Sequence, residues 1–496
     1  MEFFTNLSKP PLVVIFNYWH LYAARCCRCR RTGGQQLIKT LVLLGATGDL
    51  AGRFLLPALA ALRAAGRLPA DFQVVAAARE DLDDDAFQRA AADRLEHHAP
   101  DVPAMARADL VRLLRYHPTE MTDPASLGSL LSGIRPPWAA YLALPPGLHT
   151  AVVTTLGSTG LPDGSRIALE KPFGEDLDSA MALNRLLTQV TRAAGEQAVF
   201  RVDHVLGLPT VQNLIALRLA NRVLEPVWNS RHIEQIDILW EEDLGLEGRA
   251  GYFDRSGTLR DVMQNHMLQI LSLIAMELPT RLDEQALRDR KVDVLRSVRT
   301  LRLDEAASRT RRARYTAGRL PDAEGRPGRA VPAYRNEDGV EAVRGTETFA
   351  EIVLDLDSER WSGTRFLLRA GKALHRRRKQ VTVRFRPAEH PSYNSAPANT
   401  LRIGLDGPED IALHLTGGVS LNPPSPSQVT LAAPPPAADL PAYGRVLLDL
   451  LSGGSTLSVR GDEAEAAWRV MTPVLAAWNA GMVPLEEYAA GSAGPP

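Results

Sequence analysis

The pattern of apolar positions is clearest near residue 40, where a buried strand leads into a helix. Residues 41–44 are a continuous apolar run, which is typical of a strand buried on both faces. A glycine-containing turn follows at residues 45–50, and apolar residues then recur every three or four positions until Gly66, where a helix is expected to end. The sequence therefore predicts a strand, a tight turn and a helix in that order.

The same alternation continues as far as residue 201. Further buried strands are predicted at 72–79, 138–146 and 166–174. A helix with acidic residues in its first turn is predicted after the first of these strands. Alternating strands and helices indicate a parallel sheet with helices on both faces. We therefore predict a Rossmann-type, doubly wound α/β domain over residues 37–201.

The pattern changes after residue 201. Pro209 stands where the first turn of a long helix would begin, and residues 257–279 have the spacing of an amphipathic helix. Residues 350–356 and 381–385 alternate with a period of two, as in antiparallel sheets with one covered face. We predict an α+β domain over residues 202–486, built on a large and mostly antiparallel sheet.

The remaining segments are predicted to lie outside these two domains or in their loops. Residues 1–36 are interpreted as an extension that is disordered or comes from a misassigned start. The proline-rich stretch 423–438 is predicted to form loops, and residues 487–496 a loose tail.

Composition narrows the class of protein only slightly. The 57 Lys and Arg residues almost balance the 58 Asp and Glu residues, so we expect neither a nucleic-acid nor a membrane partner. Cys26, Cys27 and Cys29 are the only cysteines and lack a second ligand pair, so we predict no metal site.

The turn GATGDLAGR lies where a dinucleotide would bind, after a strand and at the start of a helix. Glycines let the backbone approach a pyrophosphate, although this spacing also suits a plain tight turn. Arg79 ends the second predicted strand and suits the 2′-phosphate of NADP, whereas the following Glu80 and Asp81 weaken that attraction. We predict NADP, with NAD also possible.

Asp203 and His204 are adjacent in sequence between two apolar segments. They could form a solvated corner of a strand–helix turn or half of an active site. The pair alone does not decide between these interpretations.

Several stretches, taken together, resemble one enzyme family. GATGDLAGR, YLALPP, EKPFG, RVDH, QNH and LRAGKAL occur in the order found in glucose-6-phosphate dehydrogenase, over roughly residues 40–480. The resemblance implies oxidation of C1 of glucose 6-phosphate to 6-phosphogluconolactone with hydride transfer to NADP, the first step of the pentose phosphate pathway. It also implies a small sugar-phosphate substrate, a homodimer or homotetramer, and a cytoplasmic location.

The resemblance also assigns roles to individual residues. His266 corresponds to the general base, and Asp203 to the carboxylate that orients its imidazole. The residues implied in substrate binding are Lys171, His204, Glu242, Asp261, Lys372 and Arg377, with His204 at the phosphate and the acids at sugar hydroxyls. The residues implied in cofactor binding are Gly45, Ala46, Thr47, Gly48, Asp49, Leu50, Arg79 and Lys171.

Three positions depart from the family pattern around the sugar phosphate. Val205 replaces a tyrosine, and Leu208 and Phe54 each replace a lysine. The alternatives are a glucose-6-phosphate dehydrogenase that uses other basic residues, a dehydrogenase for another aldose or aldose phosphate, and a catalytically weak paralogue acting as a subunit or regulator. The basic residues considered as replacements are Arg201, Arg218 and Arg222.

Overall fold

The computed structural model describes residues 38–248, 250–323, 326–393, 396–405, 411–421, 424–434 and 438–496. The predicted extension at residues 1–36, with its three cysteines, lies outside the described residues.

The strands form two large sheets and one short ribbon. In chain order they are β1 (Thr40–Leu44), β2 (Gln73–Ala78), β3 (Leu114–Pro118), β4 (Trp138–Leu142), β5 (Arg166–Glu170), β6 (Val199–Val202), β7 (Ile233–Glu241), β8 (Thr310–Thr316), β9 (Gly318–Arg319), β10 (Ala330–Val331), β11 (Phe349–Leu354), β12 (Arg365–Gly371), β13 (Arg378–Phe385), β14 (Thr400–Gly404), β15 (Ile411–Leu421), β16 (Pro424–Ala433), β17 (Ser458–Val459) and β18 (Leu485–Ala489).

The α-helices of the described residues connect these strands. They are α1 (Leu56–Ala64), α2 (Asp84–His98), α3 (Ala104–Leu113), α4 (Pro124–Ser132), α5 (His149–Thr159), α6 (Leu177–Thr191), α7 (Pro209–Ala220), α8 (Ala250–Thr258), α9 (Leu268–Ala275), α10 (Glu284–Ser297), α11 (Ala306–Arg309), α12 (Ala442–Leu451) and α13 (Gly461–Asn479). π-Helical segments at Ala51–Leu55 and Leu259–Met267 lead into α1 and α9. None of the helices in the described part of the chain is long and apolar enough to cross a membrane.

The first sheet confirms the predicted Rossmann-type fold. Its order is β17-β6-β5-β4-β1-β2-β3, and every pair is parallel except β17 with β6. All five residues of β1, β4 and β5 are buried, as expected for strands covered by helices on both faces. The carboxyl ends of β1, β5 and β6 therefore meet at one edge, where ligands bind in such sheets.

The second sheet confirms the predicted large and mostly antiparallel sheet. Its order is β16-β15-β14-β13-β7-β12-β11-β8-β18, with parallel pairing only at β7–β12 and β8–β18. One hydrophobic core joins this sheet to the first. Residues of the predicted second domain also complete the first sheet, because β17 pairs with β6 and α12 packs against α1.

Two local predictions are wrong. Pro424 and Pro426 lie inside β16 rather than in a loop, because an edge strand tolerates residues that lack an N–H donor. The segment predicted as a loose tail is tied down as well, since β18 pairs with β8 and the Ser492 carbonyl accepts from the His375 amide at 2.8 Å. Backbone hydrogen bonds, which the side-chain pattern does not report, hold that segment.

The helix that the sequence predicts at residues 257–279 differs from the observed helix in its limits and in its burial. Gly257, with φ +65° and ψ 176°, separates α8 from a continuous helix at residues 259–275, which we call the central helix. Its polar residues Gln264, Asn265, His266 and Gln269 are buried together with its apolar ones. The helix is therefore enclosed by β7 and β12 of the second sheet and by helices α7, α10 and α13 instead of having a solvated face.

Candidate active site

The turn after β1 has the form of a dinucleotide-binding turn. Gly45 has φ +86°, and a Cβ atom there would lie 2.4 Å from the Ala143 carbonyl oxygen at the end of β4. The Gly48 amide donates to the Gly45 carbonyl at 3.0 Å, which closes the turn before the helix that begins near Asp49 and Leu50. The turn thus needs glycine for both conformation and space, and it fits a bound pyrophosphate.

Charged side chains border this turn on two sides. Arg94 donates to the carbonyls of Thr47 at 2.7 Å and Gly48 at 3.1 Å, and these two hydrogen bonds stabilise the turn. The Thr47 hydroxyl donates to the Glu80 carboxylate at 3.0 Å, whereas Arg79 is exposed. An acid and an arginine that follow β2 therefore both lie near the cofactor turn.

Asp203 and His266 form a buried pair from two distant segments. Asp203 follows β6 with its side chain 0% exposed, and its Oδ1 lies 2.5 Å from Nδ1 of His266 on the central helix. Oδ1 also accepts from the Val205 amide at 3.1 Å. Burial opposes ionisation of Asp203, but His266 and this amide outweigh it and lower the pKa of the carboxyl.

This pairing determines which nitrogen of His266 can accept a proton. A neutral imidazole that donates from Nδ1 to a carboxylate keeps its lone pair on Nε2. Asp203, His204 and His266 could also offer metal-ligand atoms within 4.8 Å of one another, but the internal hydrogen bond already engages two of them. The geometry suits proton acceptance at Nε2.

His204 packs between two rings. Its ring lies edge-on to His266, with centroids 4.7 Å apart, and is stacked on Tyr443 of α12 at 5.2 Å. Burial, together with the nearby His266, lowers the pKa of His204 to about 3. His204 is therefore neutral at physiological pH, and its buried Nδ1 has no hydrogen-bond partner within the described chain.

Lys171 and Asp261 form a second pair beside the dyad. Lys171 follows β5, and its Nζ donates to Asp261 Oδ1 at 2.8 Å and to the Asp261 carbonyl at 2.7 Å. Burial disfavours the charged form of both groups, but the opposite charge of the partner has the larger effect. The pKa of Lys171 is therefore raised and the pKa of Asp261 is lowered. Both side chains are therefore charged.

Glu242 and Lys372 meet because β7 and β12 pair in parallel. Gly371 lies opposite Glu241, so the next residues of both strands are neighbours, and Lys372 Nζ donates to Glu242 Oε2 at 2.5 Å. Burial favours neutral Glu242, but Lys372 and then Lys379 lower its pKa. We call Lys171, Asp261, Glu242 and Lys372 the polar end of the site.

The sequence did not single out several neighbours of these groups. Lys379 lies over the Trp240 ring at 4.3 Å, and its Nζ is 3.7 Å from Glu242. The alternation of β13 with a period of two could have indicated that Lys379 lies beside β7, where it pairs in register with Trp240. Arg377, which is predicted to bind substrate, lies in the exposed segment 375–377.

The positions that depart from the family pattern carry apolar side chains near His204. Val205 is fully buried, Leu208 is partly buried, and Phe54 packs against Tyr443 with ring centroids 5.6 Å apart. Helix α12 packs tightly against the turn at His204–Gly207, because a Cβ atom on Gly207 would lie 2.3 Å from the Ala442 carbonyl oxygen. We call Phe54, Val205, Leu208 and Tyr443 the apolar end.

Two of the three basic residues considered as replacements for the missing lysines are engaged in buried contacts. Arg201 is buried and donates to Glu196 and Asn184, and Arg218 donates to Glu225 and to carbonyls of the central helix and its end. Arg222 lies in an exposed turn after α7. Arg201 and Arg218 serve helix packing, so the hypothesis that they bind phosphate is wrong.

Comparison with known proteins gives a consistent result over nearly the whole chain. Residues 42–213 match the glucose-6-phosphate dehydrogenase NAD-binding domain, and residues 215–496 match the C-terminal domain. The chain is 37% identical to glucose-6-phosphate 1-dehydrogenase of Zymomonas mobilis, over 92% of this chain and 96% of that protein. It is 36% identical to the Rhizobium meliloti enzyme, over 92% and 94%.

Solved structures agree with the sequence comparison. The glucose-6-phosphate 1-dehydrogenase of Mycobacterium avium superposes with a TM-score of 0.80 at 30% identity, covering 92% of this chain and 95% of that one. A glucose-6-phosphate dehydrogenase in complex with glucose 6-phosphate gives a TM-score of 0.81 at 28% identity, covering 93% and 96%. The chain therefore belongs to the glucose-6-phosphate dehydrogenase family.

Proposed function

We propose that this protein oxidises C1 of glucose 6-phosphate to the lactone and transfers the hydride to NADP. The observation that carries the proposal is the buried 2.5 Å contact between Asp203 and His266, at the edge of the sheet that also carries the glycine turn. His266 was singled out from sequence as the base, and its ring is held with Nε2 available.

The reaction requires a proton and a hydride to leave the same carbon–oxygen unit. As the C1–H bond breaks, the hydroxyl proton moves to His266 Nε2 and the C1–O bond becomes a carbonyl. Asp203 is ionised and stabilises the imidazolium that results. NADP, when bound at the glycine turn, accepts the hydride.

The polar end orients the sugar. Ionised Asp261 and Glu242 accept hydrogen bonds from sugar hydroxyls, and Lys171 and Lys372 keep both acids charged within a buried site. Lys171 follows β5, which pairs with β6, so this member of the polar end lies on the strand next to the one that leads to Asp203. These side chains support a role in sugar binding.

The association state and location in the proposal follow from family membership. We place the enzyme in the cytoplasm as a homodimer or homotetramer. Edge strand β16 supports self-association because Val429 and Leu431 are exposed on it. Sedimentation analysis tests the state, and a monomer at micromolar concentration contradicts it.

A sugar panel tests the proposed function. We expect NADP reduction with glucose 6-phosphate, followed by absorbance, and we compare glucose and other aldose phosphates in the same assay. No turnover with any sugar, together with tight association with another dehydrogenase subunit, would favour the paralogue alternative and sink the proposal.

His266→Ala is the matched test of mechanism. Removing the base lowers kcat by about 10²- to 10⁴-fold, while NADP binding measured by calorimetry is unchanged. Gln264→Ala, on the same helix, serves as the control for disturbance of helix packing. Near-normal turnover of His266→Ala removes the assigned base.

A further inference from the structure

The start of the central helix is capped by a residue from a distant part of the chain. The first amides of any helix lack partners within the helix itself. Here the Thr258 amide donates to the Glu347 carbonyl at 3.2 Å, and the Leu259 amide donates to the Glu347 carboxylate at 3.0 Å. One residue therefore satisfies two amides at the start of the helix that carries Asp261 and His266.

The chain leaves room for this carboxylate at Gly257. Glu347 is only 8% exposed, and a Cβ atom on Gly257 would lie 2.4 Å from its Oε1 and 2.8 Å from its Oε2. Gly257 also has φ +65°, a conformation that favours glycine. A buried carboxylate is costly unless it is hydrogen-bonded, so the contact with the Leu259 amide is what keeps Glu347 in this position.

The residue closest to this cap belongs to the polar end. Asp261 lies two residues after Leu259, and Lys171 donates both to its carboxylate and to its backbone carbonyl. A shift of the backbone at the helix start therefore moves the acid and its lysine partner together. His266 lies further along the helix and is held separately by Asp203.

The same segment also contacts the other lysine of the polar end. Thr348 follows Glu347, and its carbonyl accepts from the Lys372 amide at 2.9 Å. The neighbouring residues Phe349 and Gly371 pair in the antiparallel register of β11 and β12. Glu347 is thus fixed between the start of the central helix and the strand that leads to Lys372.

We propose that Glu347 is a positioning residue for sugar binding, which acts through the start of the central helix on Asp261 and thereby on Lys171. This inference rests on the proposed function, because that function assigns the polar end to sugar hydroxyls. The cap lies next to Asp261, whereas His266 and the cofactor turn have their own supports. Loss of the cap therefore weakens sugar binding more than it slows hydride transfer.

Steady-state kinetics of Glu347→Ala test this inference. We expect KM for glucose 6-phosphate to rise about tenfold, because a hydrogen bond from the sugar to a charged group loses its alignment. We expect kcat and KM for NADP to change by less than about threefold. An unchanged KM for the sugar in the folded variant, or a fall in kcat without a rise in that KM, overturns the inference.

The conservative variant Glu347→Gln separates positioning from bulk stability. Glutamine keeps an acceptor oxygen at the same reach, so we expect a KM within about threefold of the wild-type value. A glutamine variant as impaired as the alanine variant contradicts the inference. Asp123→Ala is the matched control, because Asp123 caps α4 through the amides of Ala125 and Ser126, and α4 contributes no residue to the site. It is expected to lower stability and leave KM unchanged.

Hydrogen exchange tests the cap without any sugar. We expect the amides of residues 258–261 to exchange faster in Glu347→Ala than in the wild type, and unchanged exchange overturns the inference alone. Failure of the wild type to oxidise glucose 6-phosphate contradicts the proposed function instead. Where Glu347→Ala does not fold, Glu347→Asp replaces it, because its shorter side chain draws the carboxylate away from Leu259 and is expected to raise KM in the same way. Loss of the fold in both variants overturns the inference in favour of a purely structural role.

Discussion

The polar end and the apolar end of the site differ in the interactions that hold their side chains together. At the polar end, Lys171–Asp261 and Lys372–Glu242 place opposite charges within hydrogen-bond distance inside a buried site. At the other end, aromatic rings and aliphatic side chains pack together, and His204 is neutral at physiological pH. The proposed function therefore assigns the sugar hydroxyls to the charged groups of the polar end.

The comparison shows that similarity in sequence is not distributed evenly over an active site. The groups that handle C1 and its neighbouring hydroxyls match the family pattern, whereas Phe54, Val205 and Leu208 do not. Because each end contributes its own share of binding free energy, one end can change without disturbing proton or hydride transfer.

The largest effect after loss of the base is expected from Asp261→Asn. Lys171 then keeps a buried positive charge without its partner, so unfolding stability falls by about 3 kcal/mol. Activity, kcat/KM, falls about a hundredfold for glucose 6-phosphate and glucose alike, because both sugars use this end. Steady-state kinetics and denaturant unfolding measure the two effects.

Asp71→Asn is the control for this change, since Asp71 also pairs with a lysine, Lys39 at 2.6 Å, but on the surface. Little change is expected there. If Asp261→Asn altered the two sugars differently, the polar end would not be common to them, and the contrast between the ends would break down.

Lys372→Met is expected to have an intermediate effect. Glu242 loses its 2.5 Å partner and keeps only Lys379 at 3.7 Å, so the pKa of Glu242 rises toward its ordinary value. We expect kcat/KM for both sugars to fall by about ten- to thirtyfold, most strongly at low pH, where Glu242 becomes protonated.

A pH profile of kcat/KM with each sugar measures this effect, and Lys39→Met supplies the exposed-lysine control. A profile that kept its wild-type shape would show that Lys372 does not hold Glu242 in its charged form.

The smallest effect is expected from Glu80→Gln, which changes the cofactor turn and neither end of the sugar site. The Glu80 carboxylate accepts from Thr47 in that turn and opposes a 2′-phosphate. Its removal raises the ratio of kcat/KM with NADP over NAD by about three- to tenfold. Kinetics with both dinucleotides test this, and Asp81→Asn, at the next exposed acid, is the control.

The same variant sharpens the comparison of the two ends. The preference between glucose 6-phosphate and glucose stays unchanged in Glu80→Gln, since discrimination between sugars belongs to the sugar site alone. A shift in that preference would mean that the cofactor turn and the apolar end are coupled.

Local patterns predicted those parts of the fold that short-range physics determines. The apolar run at 41–44 and the glycine turn became β1 and the cofactor turn, because burial on both faces leaves no polar position in such a strand. The prolines of β16 and the strand at 485–489 were missed, because ladder hydrogen bonds form with partners far along the chain.

The sequence by itself determined the family, the two sheets and the residues that supply acids, bases and lysines, since these depend on residue type and order. The resemblance implied the pairing of Asp203 with His266, and the tertiary structure decided how two residues 63 positions apart come within hydrogen-bond distance. It also decided that Tyr443 contacts both His204 and Phe54. Proximity between distant segments arises from sheet pairing and helix packing, which no local pattern encodes.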